Sequence, residues 1–490
     1  MRKILIALAV LFVLPSAALA AKDRLVLGMS LEPPHLDPTA GAAAAIDEVV
    51  YANVMEGLTR IDENGQVRPA LAERWTVSAD GLTYTFKLHA GVKFHDGTDF
   101  DSADVKFSLD RARAADSTNA QKGLFEPIAA VETPDPLTVV VKLSRPEGLF
   151  PWNMGWGDAV IVAPESAEGN KTNPVGTGPF RFVSWVKGDS VTLERQDKYW
   201  GAKPALKTVV FKFVADPSAQ VAALLAGDID TIPVVGAPES LERFKADANF
   251  VVTVGSTEGE TILAMNERRK VFQDIRVRRA ISYAVDRQAV VDGAMFGYGT
   301  PIGSHFAPHN PAYVDLTGTY PHDVAKAKAL LAEAGYPQGF KAVMKLPPPS
   351  YARRGGEIIA AQLAEIGIQV EIVPVEWAQW LSDVFKGEHD FDFTIVSHTE
   401  PLDIGIYARD DYYFGYKSDA FNAVMEDLKT TADPAARKAL YGKAQHILAE
   451  DAPVVFLFQL AKTGVQRKGI KGLWLNAPVQ ASDVTGVSWE

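Results

Sequence analysis

One segment constrains the fold more than any other. Thr208 to Val214 reads as an apolar strand, Asp216 stands as a helix N-cap with Pro217 at the first helical position, and Val221, Leu224 and Leu225 form a buried stripe. Gly227 then ends the helix and Asp228 to Val234 begins another strand. Strand, helix and strand in so short a span imply a crossover connection between parallel strands, hence a sheet covered by helices. The second half repeats this logic. Asp274 caps a helix carrying Val277, Ile281 and Ala284, and an alanine-rich helix from Val324 stops at Gly335 with Pro337 beyond it. Phe340 to Leu346 is a strand, Arg353 to Glu365 a helix ended by Gly367, and Ile368 to Val373 a returning strand. Val454 to Leu460 is apolar on both faces, as a central buried strand requires. The first half adds alternating strands, with Leu82, Tyr84, Phe86 and Leu88 after the Asp80-Gly81 turn and Leu137, Val139, Val141 and Leu143 after Pro134-Asp135-Pro136. Between them Ser102 to Ala114 reads as a helix capped by Asp101 or Ser102, with Val105, Leu109 and Ala112 on one face. The fold class is α/β.

The N-terminus sets the compartment. Arg2 and Lys3 precede an apolar run, Ile4 to Leu14, followed by Pro15 and Ala18-Leu19-Ala20, the order of a secretory signal cleaved after Ala20. The run is too short to span a bilayer. The chain has no cysteine, which excludes disulfides, thiol catalysis, a thiolate metal site and a lipidated cysteine after the signal. Export without anchor or disulfide points to a bacterial periplasm. The remainder of the 490 residues exceeds one hydrophobic core and implies two or three lobes. Removing Arg2 and Lys3 takes the formal charge from −12 to about −14, and no basic stripe is present to meet phosphates, so nucleic acid is not an expected partner. The run Arg276-Val277-Arg278-Arg279 reads as the solvated face of a helix.

Ligands of open α/β sheets bind beyond the carboxyl ends of the strands. Two unusual segments follow predicted strands: Lys345 to Arg354 (KLPPPSYARR), and Ser397 to Tyr416 (SHTEPLDIGIYARDDYYFGY) after Phe391 to Val396. The second holds four tyrosines, one phenylalanine, four carboxylates, one histidine and one arginine. Loops of this length are usually functional, and rings with acids suit capture of a small organic solute. The alternative is an aromatic cluster folded back on the core. Enzyme constellations are missing: there is no G-x-S-x-G, S-x-x-K, H-E-x-x-H or phosphate loop. Gly176-Thr177-Gly178-Pro179 is a structural turn, because Pro179 removes a backbone donor. His305 and His309 are separated by Pro308, which argues against a shared helix face and a metal site. Asp410 and Asp411 read as solvated charge. No cofactor is expected.

Several stretches together resemble a known family. They are LVLGMSLEPPHLDPT (Leu25 to Thr39), the run from Glu56 to Arg111, NPVGTGPFRF (Asn173 to Phe182), Tyr199-Trp200, VRRAISYAVDR (Val277 to Arg287) and LLAEAGYP (Leu330 to Pro337). The block from Trp75 to Gly97, W-x-x-S-x-D-G-x-x-Y-x-F-x-L-x-x-x-V-x-F-H-D-G, is the most specific. In this order they resemble the extracytoplasmic solute-binding proteins of the dipeptide, oligopeptide and nickel type, which serve ABC importers. The resemblance implies a two-lobed clamp of type II, in its large form with an inserted third subdomain. Lobe I would comprise 22–257 and 461–490, with the insertion at about 55–170, and lobe II would comprise 258–460. Two segments would cross the hinge, near Gly255 to Thr261 and near Leu460 to Thr463. The protein would act as a monomer, close on its ligand and dock on an inner-membrane permease.

The dipeptide-binding members resemble this chain through Ala352 to Ile368, Val375 to Leu381 and Gly387 to Asp390. They hold a peptide carboxylate with an arginine whose matching position here is Leu346, with Lys345 beside it; a lysine supplies charge without the planar fork. They grip the peptide amino terminus with an aspartate where this chain offers Thr399, Glu400 or Asp403. Glu400 is the chosen match, its alternative being a helix-capping or solvent-facing acid. Both departures suit a cationic or amine-bearing solute at least as well as a zwitterionic dipeptide. His398, Asp403, Tyr412 and Tyr413 would share the pocket, with Trp377 as a wall; Trp380 is either wall or core. Lobe I would contribute the loop after its first strand, Ser30 and Glu32 in particular. Two competing functions remain open from sequence, a secreted hydrolase of oligosaccharides or peptides and a sensor subunit without transport.

Overall fold

The computed structural model describes residues 22–41, 43–399, 403–431 and 433–490; the expected signal segment, 1–20, lies outside them. Among the described residues no helix is long and apolar enough to cross a membrane. Two long antiparallel strands, Phe250–Met265 and Val454–Arg467, form the spine of an eleven-stranded sheet. They pair as Val251 to Ser256 against Gln466 to Ala461, and again from Glu260 opposite Gln459 to Ala264 opposite Val454. Between those stretches Thr257 to Gly259 lie opposite Leu460 alone, a bulge that breaks the ladder. On one side of the break the sheet continues through Thr231–Ile232, Arg24–Met29, Thr208–Phe213, Ser190–Arg195 and Phe180–Val186. On the other it continues through Phe393–His398, Lys341–Leu346 and Gln369–Pro374.

The buried apolar residues divide the same way. Those of 25–244 and 465–487 pack among themselves, and those of 262–458 pack among themselves. The molecule is two-lobed, as the sequence predicts. Asp216 accepts from Ala219 N at 2.7 Å, and Gly227, at φ 92°, stops helix Pro217–Ala226. The strand that follows is shorter than predicted. Asp230 substitutes its carboxylate for a backbone acceptor, taking Val26 N–H at 2.9 Å, and Pro233, which has no N–H, follows Ile232.

A second sheet, Ala72–Val77, Thr83–Leu88, Thr138–Leu143 and Ile128–Asp135, is antiparallel, with helix Ser102–Arg113 sharing its core. That helix begins with a capping box between Asp101 and Asp104. The sheet is joined to the main body around Glu56, a buried carboxylate that accepts from Thr177 Oγ1 (2.9 Å), Tyr199 OH (2.7 Å) and Trp200 Nε1 (3.0 Å). Gly176 and Gly178 bring Thr177 there only because they lack side chains; a Cβ would lie 2.0 Å from Val54 O and 2.6 Å from Asn53 O, respectively. The Gly-Thr-Gly-Pro segment is therefore a structural turn.

One expectation is corrected. Arg278 is not on a solvated face: it is buried, ion-paired to Glu267 at 3.1 Å, and donates to the carbonyls of Phe272, Gln273, Asp451 and Ala452. Those carbonyls end two helices, whose unpaired acceptors draw a guanidinium inward. Only Arg276 is exposed, on Asp274.

Asp47 and Asp158 face one another with an unpartnered buried oxygen each. Burial and mutual repulsion push Asp47 well up, and burial pushes Asp158 up to about 7. Folded values above the unfolded one mean that the native state holds extra protons, so stability falls as pH rises from about 4 to about 7. Asp158→Asn should flatten that decline in thermal melts and stabilise the chain at pH 8 by roughly 1–3 kcal/mol.

Candidate functional site

Lys341–Leu346 and Phe393–His398 are parallel neighbours, with Met344 opposite Phe393, so the segments that follow leave the sheet at one end. The first is short: helix Ser350–Glu365 begins directly after the three prolines, three residues earlier than predicted. Its Tyr351, pushed up to about 12 by burial, is hydrogen-bonded to the Ser397 backbone and ties the two segments together.

The second segment folds back on the core. Strand Phe393–His398 is followed by a 3-10 helix, Asp403–Ala408, and Tyr407, Tyr412, Tyr413, Phe414 and Tyr416 are all buried. Tyr413 packs against Trp380 (5.9 Å between ring centres), Phe385 (5.9 Å) and Phe391 (6.2 Å). Arg268 holds the chain by donating to Tyr412 O and Tyr413 O. The rings lie under the site.

Polar groups gather where this segment meets the bulge. Asp403 sits between two buried imidazoles, 2.6 Å from His305 Nε2 and 3.5 Å from His398 Nδ1. These hold its carboxyl well below the usual range against the opposing effect of burial. Glu260 carries the opposite shift: burial and the nearby Asp403 and Glu258 carboxylates push it well up. Glu258 meets His309 Nε2 at 2.5 Å, and its other oxygen is buried without a hydrogen-bond partner among the described residues. His305 and His309 thus share no helix face, yet each finds a carboxylate.

Two cavities flank Glu258. One, of about 220 Å³, is lined by Glu48, Thr257, Glu258, Thr399, Lys462, Trp474 and Gln480. The other, of about 590 Å³, is lined by Trp152, Glu258, His309, Arg437, Tyr441 and Asn476. Both draw walls from either side of the strand break, and Gln480 Nε2 donates across the first to Thr399 Oγ1 at 3.0 Å. Burial pushes the Glu48 carboxyl up, and among the described residues it forms no ion pair. The Lys462 ammonium, drawn down to about 8 by burial, donates to Trp474 O. Carboxylates, a cation and indole rings around a recessed, partly open space are what a polar organic solute requires.

The described residues expected from sequence fall elsewhere. Glu400 lies outside the described residues. Lys345 is engaged by Asp383 (3.4 Å) and Asp390 (3.5 Å). Glu32 accepts from Trp185 Nε1 and Gly188 N, which ties it to the hairpin of Phe180–Val186 and Ser190–Arg195; Ser30 is exposed. Trp377 is half-buried, edge-on to Trp380, whose Nε1 donates to Thr394 Oγ1 in the core. His398 is buried on Tyr413 OH at 3.1 Å. Among the described ones, none lines either cavity. Glu48, Thr257 and Glu258 were missed. Glu258-Gly259-Glu260 carried a signal, since acids directly before the apolar run Ile262 to Met265 must enter buried strand.

Residues 66–407 match the family model described as bacterial extracellular solute-binding proteins, family 5 Middle. The glutathione-binding protein GsiB of Salmonella paratyphi A is 31% identical over 480 residues, covering 94% of this chain and 93% of that protein. Among solved structures, the periplasmic binding protein DppA of Helicobacter pylori, in complex with peptide STSA, superposes with a TM-score of 0.84 at 28% identity, covering 96% and 98% of the two chains. The binding protein AgaA of A. tumefacien R10, in complex with agropinic acid, gives a TM-score of 0.82 at 29% identity over 95% and 99%.

Removing the central acid of the buried cluster tests its electrostatics. Asp403→Ala leaves His305 and His398 enclosed without their acceptor and should cost roughly 3 kcal/mol in chemical denaturation.

Proposed function

The chain belongs to the bacterial extracellular solute-binding proteins of family 5, and from that membership we propose that it captures a peptide or similar small organic solute between its lobes and delivers it unchanged to an ABC permease at the inner membrane. The observation that carries this reading is the position of the two cavities. Both lie at the break between Ser256 and Glu260, with walls from both lobes. The lobes are 22–257 with 461–490, the insertion lying at about 55–170, and 258–460. A solute touching both stabilises the closed form by its differential affinity for that form. Contacts between the proposed lobes support this reading: Gln480 reaches Thr399, and the Arg354 guanidinium spans both oxygens of Glu239 at 3.1 and 3.2 Å. The protein works in the periplasm as a monomer after cleavage behind Ala20, and it has no chemistry of its own.

The solute carries an amino or other cationic group and is polar at more than one point. Glu48 and Glu258 supply acceptors, Lys462 a donor, and Trp474 and Trp152 apolar walls. Glu400 adds an acid from the segment after Phe393–His398. Relatives named for glutathione, or complexed with a peptide or with agropinic acid, support a small polar organic solute.

Native mass spectrometry of the freshly purified mature protein identifies the retained solute by mass. Calorimetric titration with that compound should then show Glu258→Gln and Glu400→Gln each weakening binding tenfold or more, as loss of a charge-assisted contact of about 1.5–3 kcal/mol predicts. Unchanged affinity in either variant removes that residue from the site, and turnover of the compound removes the proposed function.

A further inference from the structure

Beneath the cleft lies a set of side chains that solute capture does not use. Glu260, on strand Phe250–Met265, His305, in the turn after Gly299–Pro301, and Asp403, opening the 3-10 helix, come from three separate segments. One ligand atom from each lies within 4.8 Å of the other two. The residues are enclosed: Glu260 is 2% exposed and His305 0%. Glu260 is held by a hydrogen bond from the Ala307 backbone, while its Oε2 has no hydrogen-bond partner among the described residues. A carboxyl oxygen cut off from water and left bare is expensive as an anion, and either a proton or a cation must relieve it.

The surroundings favour a cation. His305 Nδ1 is held by Tyr407 OH at 3.2 Å, and Nε2 shares a proton with Asp403 Oδ1 at 2.6 Å, the proton that a bound cation would replace. His398 is held likewise: Nε2 meets Tyr413 OH at 3.1 Å, which turns Nδ1 toward Asp403 Oδ2. An outer partner on the far ring nitrogen is the arrangement that orients metal-ligating imidazoles. One nitrogen and two carboxylate oxygens, with a second imidazole adjoining, suit a borderline transition ion better than magnesium or calcium, which take oxygen alone.

We propose that Glu260, His305 and Asp403, with His398 adjoining, bind one divalent transition-metal ion of the zinc type. The ion would clamp the segment after Phe393–His398 to the strand that crosses between the lobes, separately from any solute in the cleft. This does not rest on the proposed transport function.

The test uses zinc chloride as probe on the full mature chain stripped with chelator. Calorimetry should show one saturable site on the wild type, and zinc should raise the melting temperature where magnesium does not. Glu260→Gln, which keeps shape and removes charge, should weaken zinc at least tenfold while circular dichroism stays native, and Asp403→Asn should do the same. Anomalous diffraction from zinc-soaked wild-type crystals should place the ion among the three residues, a readout that needs no variant to fold. Absence of a saturable site, equal affinity in wild type and Glu260→Gln, or an anomalous peak elsewhere overturns the proposal. So does zinc binding that is lost in Glu48→Gln but kept in Glu260→Gln, which would place the ion in the cleft.

Discussion

The antiparallel pairing of Phe250–Met265 with Val454–Arg467 is the constraint on which the rest depends. Each strand serves both halves of the sheet, so each lobe completes its core around the same two chains. Where the ladder breaks, its polar groups are satisfied from beside it. Ser256 N donates to Asn476 Oδ1, Thr257 pairs with Ala477, and Gln459 Nε2 donates to Thr257 O. The tail runs so close that a Cβ on Gly255 would lie 1.9 Å from Leu475 O. A crossing so fully tied confines relative motion of the lobes to a few dihedrals at the bulge.

The residues that make the family legible do other work. Glu56, Thr177, Tyr199 and Trp200 meet in one hydrogen-bonded knot that joins the smaller sheet to its lobe. Arg111 binds Asp37 at 3.5 Å, fixing helix Ser102–Arg113 to the first loop. Outside those motifs, Asn53 takes Val484 N and donates to Ser482 O, anchoring the C-terminal tail. These side chains lie in the scaffold around the cavities, so a recognisable scaffold coexists with a site that must be read from geometry.

Aromatic and charged residues near the site follow one rule: they are buried where partners exist. The tyrosines of 407–416 complete a core, and Asp403 enters only because two imidazoles receive it. Among the described residues near the site, Glu48 forms no ion pair and Glu258 and Glu260 each keep a bare buried oxygen, so the fold leaves partners to be supplied there.

Local signals sufficed for the elements. Asp216, Pro217 and Gly227 bound their helix as written, and Tyr84, Phe86 and Leu88 face inward as their alternation requires, because caps and periodicity act within a few residues. The motifs fixed the family, hence the two-lobed plan. What the sequence could not show is which polar side chains end up sharing one space. Ser397 to Tyr416 reads equally as pocket or core, and only packing against Trp380, Phe385 and Phe391 assigns its rings to the core. Glu258 and Glu260 meet His309, His305 and Asp403 across separations of 45 to 143 residues, through a strand pairing that no local pattern encodes. The site is a product of long-range register, and that is decided only when the chain closes on itself.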